Sequence, residues 1–349
     1  MPINEEVISR NIQTITLFLA LSCVLLKLID KFYIREGTFI ESTFNNRDSF
    51  EQGGSNPVAI MSSVLTGFTY IPLFLASYSK KAIPLLKWVL FYFIFFSSVF
   101  DIFLIGSRST TLLSFFIYVY YLFLFDKITI NTKKIIFYLF FILIVGLWMG
   151  VVFIERSREF AGEEVISYIL KDAGFTSVIG PNDKLINAIE QSDSDLFQTV
   201  CVAYISLLNY YVHGVIEFLY VYDKFNAQHT CGRYTFYIYY KFFHIILTGN
   251  VPNFQTIADV NPRPAVYTSF YGPIFFDFGW LSIVFSYLLG IFTKNVYNRA
   301  ANGFFADKIV YSYMINLLFF LPVFNFIEGA AGLYVISSFI IFKLLTRFL

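Results

Sequence analysis

Eight apolar segments divide the chain, and most of them approach the roughly 20 residues that a helix needs to cross a bilayer. They are Ile12–Ile29, Val58–Ser77, Trp88–Ile105, Thr111–Phe125, Ile135–Phe153, Gly279–Thr293, Ile309–Ile327 and Leu333–Leu345. Charged residues make up only 14% of the 349 residues, against about 25% in a soluble domain. The sequence therefore predicts an all-α polytopic membrane protein that forms a single integral membrane domain over residues 1–349.

Basic residues in the short loops predict the orientation. Lys and Arg recur in four places: Tyr78–Lys87, Asp126–Lys134, Lys294–Lys308, and the C-terminal tail with Lys343 and Arg347. Short loops rich in basic residues stay in the cytoplasm, so we expect both termini there and residues 154–276 mainly on the other side. Because Met1–Arg10 is polar and acidic, we expect no cleavable signal peptide.

The number of crossings between residues 196 and 249 stays open. Leu196–Tyr222 and Tyr234–Gly249 are both apolar, and the flanking loops require that both cross or that neither does. Two crossings give ten transmembrane helices. No crossing gives eight, with both segments at the membrane surface or re-entering it. The sequence favours ten.

Composition excludes several functions. The net charge of +1 is evenly mixed, so we expect no nucleic acid partner. The three cysteines, Cys23, Cys201 and Cys231, are too few and too scattered for a disulfide framework or a thiolate metal site. No HExxH, CxxC, P-loop or Rossmann glycine pattern is present, so we expect no metal and no cofactor.

Arginines near the predicted membrane depth are candidates for binding an anionic substrate, because charge there is costly and faces a cavity. Arg108 lies in Gly106–Thr110, a turn followed by a predicted helix N-terminus, which favours an anion. Arg156 and Arg158 lie in Glu155–Glu159, where the alternative is a solvated, self-neutralised charge cluster.

A fourth arginine, Arg263, stands between Pro262 and Pro264, which fix the local backbone and exclude a regular helix. The residues that follow include Tyr267 and Tyr271, whose rings and hydroxyls are typical of a surface that contacts carbohydrate. The sequence thus predicts substrate binding at Arg263 and both tyrosines, with an exposed arginine in a proline-rich connector as the alternative.

Three residues are candidates for a general base. His213 and Glu217 are four residues apart and so share a helical face, although a lone histidine in an apolar stretch is more often structural. Asp277 is enclosed by aromatic residues and needs a partner. Its alternative role is to cap a helix that begins near Gly279.

Three segments resemble Wzy-type polymerases of O-antigen or other oligosaccharide repeat units. Gly106–Leu113 resembles the Gly-x-Arg turn of that family. Tyr211–Gly214 resembles its Tyr-x-x-His-Gly-like stretch, with Val212 where a threonine is common. Ala265–Trp280 resembles its aromatic segment ending in Asp-Phe-Gly near the last periplasmic loop.

The resemblance implies a multi-pass protein of the bacterial inner membrane whose architecture is similar to the C superfamily of glycosyltransferases. Such proteins act in lipopolysaccharide and polysaccharide biosynthesis. On the periplasmic side they transfer a growing glycan from undecaprenyl pyrophosphate to a lipid-linked repeat unit. A polysaccharide chain-length regulator is a further expected partner. An O-antigen ligase and a transporter or flippase for the lipid-linked oligosaccharide are the alternatives.

In this interpretation the arginines neutralise the pyrophosphate as it departs. His213, Asp277 and Glu217, in that order, are the candidates for the base that activates the acceptor hydroxyl. We expect a single displacement with inversion at the anomeric carbon.

Overall fold

The structure is a computed structural model in which all the regular structure of the described residues is helical. It describes residues 10–37, 46, 50, 56–79, 82–105, 109–127, 136, 140, 143–144, 147, 150–151, 153–155, 157–158, 161–172, 180–263, 268–323, 325–327 and 329–348. The expected all-α fold is confirmed for this part of the chain.

The α-helices longer than one turn are numbered in chain order. They are α1 (Arg10–Leu28), α2 (Pro57–Val64), α3 (Ile71–Tyr78), α4 (Leu85–Phe95), α5 (Phe100–Ile105), α6 (Ser109–Leu124), α7 (Asp183–Glu190), α8 (Asp195–Lys224), α9 (Tyr237–Thr248), α10 (Tyr271–Phe278), α11 (Ser282–Ala301), α12 (Phe305–Phe320) and α13 (Gly329–Phe348). A π-helix extends α1 over Ile29–Ile34, and 3₁₀ turns join α2 to α3, α4 to α5 and α10 to α11.

Two helical segments are long and apolar enough to cross a membrane, Asn11–Ile34 and Tyr271–Ala301. Two bent pairs also qualify as broken spans or re-entrant segments: α2 with α3, bent by 47°, and the two halves of α8, bent by 49° between Asn209 and Val212. The described residues thus contain two to four candidate spans, which supports the membrane class. The predicted segment Ile135–Phe153 lies largely outside the described residues.

Helix α9 is too short for the second extra crossing that a ten-helix protein needs. Its twelve residues extend about 18 Å at 1.5 Å per residue, whereas the hydrocarbon core is about 30 Å thick. Its apolar side chains, including Phe242, Phe243 and Leu247, are exposed. The structure therefore does not support α9 as a single spanning helix, and the total of eight or ten crossings stays a prediction.

The core forms where α1, α2, α3 and α13 approach one another. The 3₁₀ turn Thr66–Thr69 lies between α1 and α13. Gly67 permits this approach, because a Cβ at that position would lie 2.5 Å from the Cβ of Ser338. The Gly67 N–H instead donates to the Ser338 hydroxyl across 3.1 Å. Small residues serve in this way where membrane helices pack closely.

Helix ends that flank the four basic loops meet at one end of the bundle, which we call the basic end. The ring of Tyr78 lies 4.8 Å from that of Phe125 and 4.4 Å from that of Phe305. Lys343 donates to Asp307 across 2.6 Å. The structure thus brings the helix ends that flank these loops to a common side, as the predicted topology requires. The assignment of that side to the cytoplasm stays a prediction.

Candidate functional site

A polar stripe that is largely buried runs along α8. Its members are Ser206, Asn209, His213 and Glu217, spaced three or four residues apart and therefore on one face of the helix. The opposite face carries exposed leucines and valines, among them Leu207, Leu208, Val212, Val215 and Leu219. A helix with its polar face inside and its apolar face outside is typical of a membrane helix that lines a polar interior.

Close backbone contact locates the polar stripe at the end of the bundle opposite the basic end. A Cβ on Gly214 would lie 2.1 Å from the carbonyl oxygen of Pro322 and 2.9 Å from the Cβ of Ser269. The loops of these two residues are joined by a hydrogen bond from the Phe270 N–H to the Leu321 carbonyl, at 3.1 Å. Pro322 lies two residues beyond the end of α12, whereas Asp307 at the basic end lies in its first turn.

Glu217 is the centre of the polar stripe. Its side chain is completely buried, and its Oε2 accepts a hydrogen bond from Nη1 of Arg263 across 3.1 Å. Nε2 of His213 lies 3.8 Å from the same oxygen. The structure therefore brings together three of the residues that the sequence singled out, one from a loop and two from α8.

Three enclosed atoms of the polar stripe have no hydrogen-bond partner within the described part of the chain: Ser206 Oγ, Asn209 Nδ2 and Glu217 Oε1. Leaving such a group unsatisfied costs about 1–3 kcal/mol, and more when it is charged. Buried polar groups are rarely left in this state. These three atoms lie on one face of α8, where the described residues leave hydrogen-bonding capacity unused.

Arg263 is held in place by its own loop and by α8. Its backbone N–H donates to Oδ1 of Asn261 across 3.0 Å, and its guanidinium carbon lies 5.5 Å from the ring centre of Tyr220. A planar guanidinium has five N–H donors in a fixed fork. Held this way, Arg263 can contact the carboxylate and an anion together.

On a different face of α8 from the polar stripe, a groove of about 520 Å³ opens between α8, α10 and α11. Aromatic side chains line it, among them Phe218, Tyr222, Tyr271, Phe275 and Trp280. Tyr271 is exposed and its ring centre lies 6.2 Å from that of Phe218. The groove thus contains one predicted substrate-binding tyrosine, and its α8 lining begins at Phe218, the residue after Glu217.

Asp277 lies apart from the polar stripe and binds a neighbouring loop. Its carboxylate accepts hydrogen bonds from the Thr230 hydroxyl, from the N–H of Tyr234 at 3.0 Å and from the N–H of Thr235 at 2.8 Å. The backbone carbonyl of Asp277 accepts a further bond from the N–H of Cys231 at 3.0 Å. This arrangement favours a structural role, although the cap holds residues 230–235 rather than the helix after Gly279.

Of the remaining predicted substrate-binding residues, Arg158 lies within the described part of the chain. Arg158 is exposed and donates to both carboxylate oxygens of Glu155, at 3.0 and 3.2 Å, which matches the self-neutralised alternative. Arg108, Arg156 and Tyr267 lie outside the described residues.

Sequence reasoning missed a second, partly buried charge cluster around the end of α1. Lys31 pairs with Asp101, and Arg35 pairs with Asp30 across 3.1 Å. Lys27, one turn before Lys31, donates to the Ser98 hydroxyl across 3.2 Å. Asp101 inside the predicted span Trp88–Ile105 was the available signal, because a carboxylate at that depth needs a partner.

No family model matches this sequence, and neither a curated protein nor a solved structure matches it. The fold and the polar stripe define the class by themselves: an α-helical protein with helices able to cross a membrane and a buried, partly unsatisfied polar site.

Proposed function

We propose that this protein is a membrane glycosyltransferase that polymerises oligosaccharide repeat units. It transfers a growing glycan from undecaprenyl pyrophosphate to a lipid-linked repeat unit. The observation that carries the proposal is the buried contact between Glu217 and Arg263, with His213 beside it. A general base and an anion-binding group are the two functions that such a transfer requires.

Glu217 is the proposed base, because its Oε1 is enclosed and without a partner among the described residues. The acceptor hydroxyl gives its proton to this oxygen while its own oxygen bonds to the anomeric carbon. The bond from that carbon to the pyrophosphate oxygen breaks, and the electron pair leaves with the undecaprenyl pyrophosphate. Attack and departure occur on opposite faces, so the anomeric configuration inverts.

Arg263 is proposed to stabilise the charge that develops on the pyrophosphate, since a guanidinium binds phosphate oxygens in a bidentate manner. His213 is proposed to exchange the proton with Glu217, because Nε2 lies 3.8 Å from Oε2. Asp277, the other base candidate, already accepts three hydrogen bonds, so we give it no chemical step.

The aromatic groove is proposed to bind the isoprenoid and sugar rings of the substrate. Its apolar lining suits an isoprenoid chain, and exposed rings such as Tyr271 and Trp280 can stack on sugars. The polar stripe lies at the end opposite the basic end. With basic loops in the cytoplasm, this arrangement supports an inner-membrane protein whose site faces the periplasm.

The proposal is tested in a deletion strain complemented with Glu217→Gln, Arg263→Ala or wild-type protein at matched membrane levels. We expect wild type to restore the ladder of glycan bands, and both variants to leave single repeat units. Arg158→Gln is the matched control, because that arginine is exposed and pairs with Glu155 rather than with Glu217, and it should restore the ladder.

Three results would overturn the proposal. A wild-type ladder in the strain that carries Glu217→Gln would show that Glu217 is not the base. A deletion strain that accumulates finished polymer on its lipid carrier indicates a ligase. Repeat units that build up on the cytoplasmic leaflet indicate a transporter.

A further inference from the structure

A second groove, of about 280 Å³, lies between α11, α12 and α13 near the basic end. One face of α13 lines most of the groove's length. Its residues recur at the i, i+3, i+4, i+7 spacing of a helix face: Ile336, Phe339, Ile340, Lys343, Leu344 and Arg347. The first three are apolar, and cations begin at Lys343. From Ile336 to Lys343 the helix rises about 10 Å. The groove is thus an apolar channel that ends in positive charge.

The charge at this end exceeds what the described carboxylates neutralise. Asp307 is buried and binds two cations, Arg299 Nε at 2.9 Å and Lys343 Nζ at 2.6 Å. One turn beyond Lys343, Arg347 is exposed and lines the groove. In the described part of the chain no carboxylate lies within ion-pair distance of Arg347. Two cations, Lys343 and Arg347, therefore lie at the end of the apolar channel. The carboxylate that pairs with Lys343, Asp307, is shared between Lys343 and Arg299.

We propose that this groove is a binding site for an anionic phospholipid, with an acyl chain along Ile336–Ile340 and the phosphate at Lys343 and Arg347. Charge complementarity carries the choice of ligand, since basic pockets between membrane helices bind anionic headgroups. A zwitterionic headgroup presents an ammonium to the same cations and binds less well. The site lies at the opposite end of α12 from the polar stripe, so it does not depend on the proposed transferase activity.

The test is lipid retention by the full-length protein in detergent micelles that contain equal amounts of phosphatidylglycerol and phosphatidylcholine. Native mass spectrometry counts the lipids that remain bound. We expect wild type to retain phosphatidylglycerol in preference to phosphatidylcholine. Arg347→Gln should lower phosphatidylglycerol retention about five-fold, because a cation near an anionic surface contributes about 1 kcal/mol. Arg347→Lys should restore it.

A second variant tests the apolar part of the site without changing charge. Ile340→Trp fills the groove and should lower retention of phosphatidylglycerol. Ile341→Trp is its matched control, because Ile341 is also exposed on α13 but does not line the groove, and it should behave as wild type. Arg158→Gln should do the same.

Equal retention of the two lipids by wild type, or wild-type retention by Arg347→Gln, overturns the proposal. So does a dimer that Ile340→Trp dissociates without any lipid preference, because a second copy of the chain would then occupy the groove.

Discussion

Arg263 donates from Nη1 to Oε2 of Glu217 across 3.1 Å, and the carboxylate that accepts this bond has no exposed surface. Arg263 itself is 16% exposed. Removing the partner therefore affects the two charges differently. The guanidinium can still reach solvent, whereas the carboxylate stays enclosed. This contact joins the loop at residues 261–263 to α8, so it acts on the fold as well as on the chemistry.

That asymmetry predicts unequal effects on stability. Arg263→Met should lower the free energy of unfolding by about 3–5 kcal/mol, because it leaves a buried carboxylate without its cation. Glu217→Gln should lower the free energy of unfolding by less, since the arginine that remains reaches solvent. The double variant should recover most of the loss caused by Arg263→Met. Denaturant unfolding in detergent measures all four proteins, and additive effects of the two changes would contradict the coupling.

At Gly214, substitution by alanine should lower stability, although alanine favours helices. Glycine in a helix interior costs about 1 kcal/mol relative to alanine, so Gly214→Ala would normally stabilise α8. Here the new Cβ would lie 2.1 Å from the Pro322 carbonyl oxygen. We expect the variant to unfold at a lower temperature and to lose activity, because α8 must move away from this loop.

Gly290 in α11 is the matched control for Gly214. It lies in a helix interior, and a Cβ there would meet nothing within 4 Å. Gly290→Ala should therefore unfold at the same or a higher temperature than wild type. If Gly214→Ala also behaves in this way, the close approach of α8 to Pro322 is wrong.

An ion pair outside the candidate spans predicts that the stability of the fold depends on pH. Lys171 donates to the Glu190 carboxylate across 2.7 Å, and this hydrogen bond holds the pKa of Glu190 below its usual value of 4.5. The pair therefore stabilises the fold above pH 4.5. This contribution is lost as the pH falls through the lower folded-state pKa. Limited proteolysis between pH 7 and pH 3 should show the loss, and Glu190→Gln should remove that part of the dependence.

Hydropathy predicted most helices because apolar length is a local property, and it failed where polar detail interrupts a segment. Trp88–Ile105 was predicted as one span, but α4 ends at Phe95 and a 3₁₀ turn follows. There the Ser97 hydroxyl donates to the Ile94 carbonyl across 2.7 Å, a local bond that competes with the helix. The predicted span from Gly279 begins earlier, at Tyr271, because Pro273 is tolerated in a first turn.

The candidate site was predictable only in part. The spacing of His213 and Glu217 placed both on one face, and the flanking prolines marked Arg263. That Arg263 meets Glu217 depends on how a loop packs against α8 over a separation of 46 residues, which no local pattern encodes. Ser206 and Asn209 were missed because a single serine or asparagine in an apolar helix is unremarkable until its partners are known.

The last prediction concerns Asp277. A structural role and a role as the general base predict different effects of its substitution. Asp277→Asn places an amide where one oxygen accepts from a backbone N–H, at Tyr234 or Thr235, and should cost about 1–3 kcal/mol of stability. We expect faster proteolysis within residues 230–235 and a normal rate of glycan transfer per folded molecule. Unchanged proteolysis together with lost transfer would instead make Asp277 the base and displace Glu217 from that role.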